Sequence, residues 1–148
     1  MNKIALTSVA AVILATGFQE IADAHCEVPC GIYGDQLRFE LMLEDQTTVA
    51  KAQKMIGELA SAEDAQSKNQ LARWIANKES HASKIQDTIA QYFMHQRIKP
   101  ADPKYVEKLT SAHGVMLAAM KCKQTVDPKN GEALKAAILD FHKKYENK

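Results

Sequence analysis

Within nine residues, His25-Cys26-Glu27-Val28-Pro29-Cys30-Gly31-Ile32-Tyr33 brings together one imidazole and two thiols, side chains that bind soft transition metals. Directly upstream stands Ala22-Asp23-Ala24, with small residues at the two positions that a signal peptidase reads. A cut after Ala24 would make His25 the N-terminus and add a free α-amine to the donors. That amine, the Cys26 amide nitrogen and the Cys26 sulfur are joined through two-carbon bridges. All three can therefore reach one metal in adjacent five-membered chelate rings, which favours a planar arrangement. Pro29 fixes its φ at about −65° and helps fold the chain back, so that the Cys30 sulfur can take the remaining in-plane position. Two nitrogens and two sulfurs in a plane point to Ni(II) or Cu(II), with nickel leading. A tetrahedral zinc site would ask for four side-chain ligands, and only three are at hand.

The same donors set what such a metal can do. Thiolates and a deprotonated amide push electron density onto nickel and stabilise its higher oxidation state, and the His25 imidazole can add a fifth donor to the oxidised ion. A one-electron couple then becomes accessible. Both thiols, which ordinarily titrate near ~8.5, and the terminal amine, near ~8, must lose protons to bind, so loading should weaken as pH falls.

On the residues alone, other uses stay open. An exported helical protein could carry nickel or copper on this arm without turnover. A Cys-x-x-x-Cys pair in an oxidising compartment could instead close a disulfide in an interaction module that binds no metal. Cys122, the third cysteine, stands between Lys121 and Lys123 near an expected helix end and reads as a partly buried structural thiol. His81, His95, His113 and His142 are scattered over three expected helices and read as surface or satisfied core histidines. Trp74 and the methionines fit core positions, and Lys78-Glu79 and Lys143-Lys144 fit solvated helix faces.

The elements that must carry the arm follow from the rest of the chain. Residues 1–18 hold one charged side chain, Lys3, before an apolar run, which with Ala22-Asp23-Ala24 reads as a leader removed on maturation. The run is shorter than the ~20 residues that span a bilayer, so no permanent membrane span is expected, the bland alternative being an uncleaved N-terminal anchor. Residues 25–148 then form one domain. With 19 basic against 18 acidic side chains, a net charge of +1 and no basic cluster, a nucleic-acid partner is not expected. Three cysteines exclude a disulfide-stapled mini-protein.

Four stretches show helical periodicity. Phe39, Met42, Val49, Ala52, Ile56 and Leu59 mark the first. Leu71, Trp74, Ile75, Ala82, Ile85, Ile89 and Tyr92 mark a second over about residues 65–95, expected to be the longest. Pro100 and Pro103 break it, and Asp102-Pro103 reads as the cap and first turn of a third helix. That helix shows Val106, Leu109, His113, Met116 and Met120 as its inner face and should end near Lys123. Residues 127–131, Asp-Pro-Lys-Asn-Gly, read as a turn before a fourth helix marked by Leu134, Ile138, Phe141 and Tyr145. No stretch alternates in the β manner. The expected fold is all-α, an antiparallel four-helix bundle over about residues 35–148 with residues 25–33 as an N-terminal metal-binding arm.

The arm resembles the nickel hook of the nickel superoxide dismutase family, His-Cys-x-x-Pro-Cys-Gly-x-Tyr at the mature N-terminus, and matches it at every fixed position. The four-helix pattern, the mature length and the Tyr92-Phe93 pair extend the resemblance to residues 25–148. The resemblance implies nickel held by His25, Cys26 and Cys30, with Tyr33 above the open metal face ordering small anions and water. It implies conversion of superoxide to dioxygen and hydrogen peroxide through a Ni(III)/Ni(II) cycle, an antioxidant role, a homohexamer, and a maturation protease that frees His25. Glu40 falls near the family's carboxylate that orients the hook histidine, although the spacing after Tyr33 is one residue shorter. Family members are usually intracellular and lose a short pro-segment, whereas this leader looks like an export signal. A periplasmic or secreted location is therefore expected, the alternative being a cytoplasmic protein with a removed pro-segment. Export would expose Cys26 and Cys30 to oxidation before nickel arrives.

Overall fold

The computed structural model describes residues 34–146. Helix α1 spans Asp35–Leu59, α2 Ala65–Asp87, α3 Tyr105–Gln124 and α4 Pro128–Glu146, and a π-helical segment, Thr88–Arg97, continues α2 without a break. Among the described residues there is no strand. The helices contact one another in a closed cycle, α1 with α2, α2 with α3, α3 with α4 and α4 with α1. Cross-links fix the directions. Asp45 meets His81 and Asp35 meets Tyr92, so α1 and α2 run antiparallel. Lys78 meets Cys122 while Gln86 meets Met116, which does the same for α2 and α3. Asp35 meets Tyr145 and Gln53 meets Asp127, which sets α4 antiparallel to α1. This is the expected antiparallel four-helix bundle.

Its core follows the predicted stripes of α1 and α4: Phe39, Met42, Val49 and Ala52 meet Leu134, Ile138 and Phe141, all essentially solvent-free. At the end where α1 begins, aromatic rings fill the space between helices. Phe39 lies 4.8 Å from Phe93 and 5.2 Å from Phe141, Phe93 meets Phe141 edge-on at 4.9 Å, and His142 stacks on Phe39 at 4.0 Å. Near the start of α4, Gly131 lies against α1. A Cβ there would stand 2.7 Å from Gln53 Oε1, and Gln46 Nε2 donates to the Gly131 carbonyl at 2.9 Å.

Several local expectations are corrected. The start of α2 overhangs the core, with Leu71 and Trp74 only partly covered and Ile75 exposed. As a pure α-helix α2 is shorter than α1, 23 against 25 residues, and only the 10-residue π continuation makes it the longest rod. On α3 the inner face is rotated from the predicted one: Ser111, Ala112, Val115, Ala119 and Cys122 are buried and the predicted Leu109 and Met116 pack partly against the core, while Val106 is 72 % exposed and His113 and Met120 also face outward. Small side chains permit close helix approach, and proximity rather than side-chain size selects the buried face.

Helix starts shift for a similar reason. Asp102 does not cap α3 directly. Its Oδ1 accepts from Lys104 N at 2.8 Å in an Asx turn holding Pro103, and α3 begins at Tyr105. The cap-and-proline device acts instead at Asp127-Pro128, where Asp127 Oδ1 accepts from Lys129 N at 3.0 Å, so residues 128–131 are helix rather than turn. Lys78 is not on a solvated face. Only 4 % exposed, its ammonium donates to the carbonyls of Cys122 at 2.8 Å and Lys123 at 2.6 Å, which satisfies the carbonyl end of α3. Cys122 is free and wholly buried, and burial pushes its thiol pKa up.

Candidate functional site

The first turn of α1 is the point where the arm joins the bundle, and side chains from three elements converge there. Asp35 opens α1 without capping it. The N-cap is Gly34, with extended backbone and no side chain to offer. A carboxylate in the first turn suits the helix dipole, and its oxygens remain available to other partners. Tyr92 Oη donates to Asp35 Oδ1 at 2.5 Å and Tyr145 Oη donates to Oδ2 at 2.8 Å. Arg97 Nε stands 3.0 Å from Oδ1, and Arg97 Nη2 donates to Tyr92 Oη at 2.9 Å. Carboxylate, phenol and guanidinium thus close a ring of contacts.

The π segment makes this ring possible. Tyr92 and Arg97 are five residues apart, a spacing that in an α-helix leaves two side chains about 140° apart around the axis. Hydrogen bonding to the fifth residue back, seen where Ile98 N donates to Phe93 O at 2.8 Å, places such residues one turn apart on the same side. The Arg97 guanidinium then lies 5.0 Å from the Tyr92 ring centre, and that of Arg38 lies 5.1 Å from it. Both phenols are braced by the aromatic layer beneath. Tyr92 meets Phe93 edge-on at 5.2 Å, and Tyr145 packs on Phe93 at 5.2 Å and Phe141 at 5.8 Å.

The electrostatics agree with the geometry. Burial, then the bond to Asp35, raises the Tyr92 pKa above the ordinary phenol value, and the same causes raise Tyr145 well above it. Both rings therefore stay neutral and donate. The bond to Tyr92 shifts Arg97 further toward its charged form. Beside the cluster an open cavity of about 560 Å³ is lined by Asp35, Arg97, Asp102, Lys108 and Tyr145 among others. Lys108 donates to Asp102 Oδ2 at 2.6 Å, which is the chief cause holding the Asp102 carboxyl below its usual range. A second cavity, of about 500 Å³ between α1 and α2, contains the His81–Asp45 pair.

The predicted site residues His25, Cys26, Cys30 and Tyr33 lie outside the described residues. Glu40 is described: it is exposed on α1 and accepts from Gln36 Nε2 at 2.9 Å. Among the described residues no group of three or more His, Cys, Asp or Glu side chains could hold a metal ion. In the sequence, the side chains whose chemistry fits nickel are those of the arm, the Cys26 and Cys30 thiols and the His25 imidazole. Cys122 stands in the core, and the four described histidines do not converge.

Sequence reasoning missed Asp35, Arg97 and Tyr145 as a polar unit. Tyr145 was legible only as a core ring, and Arg97, just ahead of the prolines that break the second helix, carried no signal of its own. A usable signal was the phenol itself, since a core position with a hydroxyl asks for a partner where aliphatic residues would not.

No helix among the described residues is long and apolar enough to cross a membrane. No curated protein and no solved structure matches the chain. Residues 20–148 match the family model described as nickel-containing superoxide dismutase, a stretch that takes in the arm and the whole bundle. Nickel is accordingly the cofactor and superoxide the substrate, and the chain belongs to the nickel-containing superoxide dismutase family.

Proposed function

We propose that the arm is the catalytic centre, with nickel held by the His25 amine and imidazole, the Cys26 amide nitrogen and the sulfurs of Cys26 and Cys30. Bound nickel supplies a one-electron Ni(III)/Ni(II) couple, so that one superoxide gives up an electron and leaves as dioxygen while a second takes one and, with two protons, leaves as hydrogen peroxide. The sulfurs of Cys26 and Cys30 and the Cys26 amide nitrogen would donate electron density that favours such a couple, and the His25 imidazole would be available as a further donor. Tyr33 orders the anion and water over the open face. The carrying observation is that the matched stretch includes His25, Cys26 and Cys30, nitrogen and sulfur donors whose spacing allows a planar chelate, just after Ala22-Asp23-Ala24.

Cleavage after Ala24 by a maturation protease belongs to the same reading, because an uncleaved chain offers an amide where an amine is needed. The charged and then apolar leader supports export and an antioxidant role outside the cytoplasm. Assembly into a homohexamer is supported by the outer face of α3, where Val106, Leu117 and Met120 are 72 %, 55 % and 41 % exposed. Sedimentation of the mature protein would give six subunits on this reading and one on its failure. The site itself is tested with two chains, one beginning at His25 and one retaining Ala24 before it. The first should bind about one nickel and remove superoxide, and the second should do neither; equal activity of the two would refute the amine as a ligand.

A further inference from the structure

We propose that Asp35 is a positioning residue, the pin by which Tyr92, Arg97 and Tyr145 fix the point where the nickel arm leaves the bundle. The proposal rests on the arm being the catalytic centre. Asp35 follows Tyr33 by two residues and Cys30 by five, so roughly 7 Å and 17 Å of extended chain at most separate it from them. Whatever holds Asp35 sets the origin from which the arm is placed.

Three observations carry it. First, the carboxylate is held from two sides, by Tyr92 and Arg97 of the π segment and by Tyr145 of α4, so its position depends on how three elements meet. Second, α1 does not need these contacts to begin: a first-turn aspartate is favoured by the dipole without them, and Gly34 is already the N-cap. Third, the π geometry that brings Arg97 onto Tyr92 is an uncommon backbone state that tends to be kept where function requires it. The phenols are in turn braced on Phe93 and Phe141, which makes the pin rigid rather than merely present.

A purely structural cluster would behave differently. The Asp35 and Arg97 side chains are 37 % and 30 % exposed, and ion pairs at that exposure add little to stability. A pin is read instead in the geometry of the metal and in turnover, where small displacements near the chemistry are costly.

The test uses the mature nickel-loaded enzyme, its Asp35→Ala and Tyr145→Phe variants and the double variant. Thermal melting, nickel per chain, kcat/KM for superoxide and the electron paramagnetic resonance of oxidised nickel are recorded on each. Asp35→Ala should lower melting by no more than about 4 °C, lower kcat/KM by about 10- to 100-fold and broaden the nickel signal. Tyr145→Phe, which removes one hydroxyl, should shift activity and signal the same way by about threefold, and the double variant should be no worse than Asp35→Ala alone. Wild-type kcat/KM and an unchanged signal in Asp35→Ala, or additive losses in the double variant, would overturn the pin. Should Asp35→Ala fail to fold, Tyr145→Phe decides: an unchanged signal and turnover overturn the pin. A wild-type enzyme without nickel would overturn the arm reading and the pin with it, whereas an active wild type beside an indifferent Asp35→Ala overturns the pin alone.

Discussion

A thiol and a hydroxyl differ by one atom, yet only the first is acidic enough to ionise near neutral pH and, as thiolate, soft enough to hold redox-active nickel. Cys26→Ser and Cys30→Ser should each abolish superoxide removal, while His25→Ala should keep the in-plane donors, retain part of the nickel and turn over slowly. Metal analysis beside a superoxide assay on each variant checks this, and full activity in either serine variant would contradict it. At this scale the sequence was most readable where chemistry is local. The arm's proposed donors are neighbours in the chain, so a chelate could be proposed from their spacing alone. Asp35, Tyr92, Arg97 and Tyr145 are up to 110 residues apart, and nothing short of the folded bundle brings them together. Lys78 was misread for the same reason, because besides Glu79 at 3.1 Å its partners are backbone carbonyls on another helix, which leave no trace in side-chain patterning.

Between elements, what decided the outcome was how closely two backbones can approach. The stripes of α1 and α4 were legible because large apolar side chains recur on one face and are buried there. On α3 the large residues pointed only partly to the right face: Leu109 and Met116 pack against the core, but Ala112, Ala119 and Ser111 sit deepest against the neighbouring helices and leave Val106 and Met120 outside. The π segment was invisible to any reading that assumes 3.6 residues per turn. At the α2–α3 contact, Lys78→Met keeps the buried stem and removes the ammonium, leaving the Cys122 and Lys123 carbonyls without their donor. Charge-assisted hydrogen bonds of this kind contribute about 1.5–3 kcal/mol, so urea unfolding should show a loss of about 2 kcal/mol. A change below about 0.5 kcal/mol, the range of ordinary surface substitutions, would mean that the lysine is incidental to the packing.

For the molecule as a whole, stability should fall on the alkaline side. Cys122, Tyr92 and Tyr145 are acids whose folded pKa values are raised, chiefly by burial. The folded state therefore holds these protons more tightly than the unfolded chain, where a thiol titrates near ~8.5 and phenols near ~10. The benefit is complete below those values and is lost as pH rises through them. Urea midpoints of the metal-free chain should be level from pH 7 to about 8, decline from about 8.5 and drop more steeply above about 10, with Tyr145→Phe flattening the last part. A profile flat to pH 11 would contradict it. The bundle's class, helix number and direction could be read from the sequence because short connections and apolar periodicity leave few arrangements for four amphipathic helices. The Asp35, Tyr92, Arg97 and Tyr145 cluster at the start of α1 could not, since it depends on side chains from three helical elements. On the proposed function cleavage after Ala24 creates the metal site, which is tested on mature protein from its native host by N-terminal sequence, metal content and superoxide removal on one sample. A chain starting at His25 with about one nickel and activity lost on chelation is the predicted result, and a metal-free chain with a Cys26–Cys30 disulfide would contradict it.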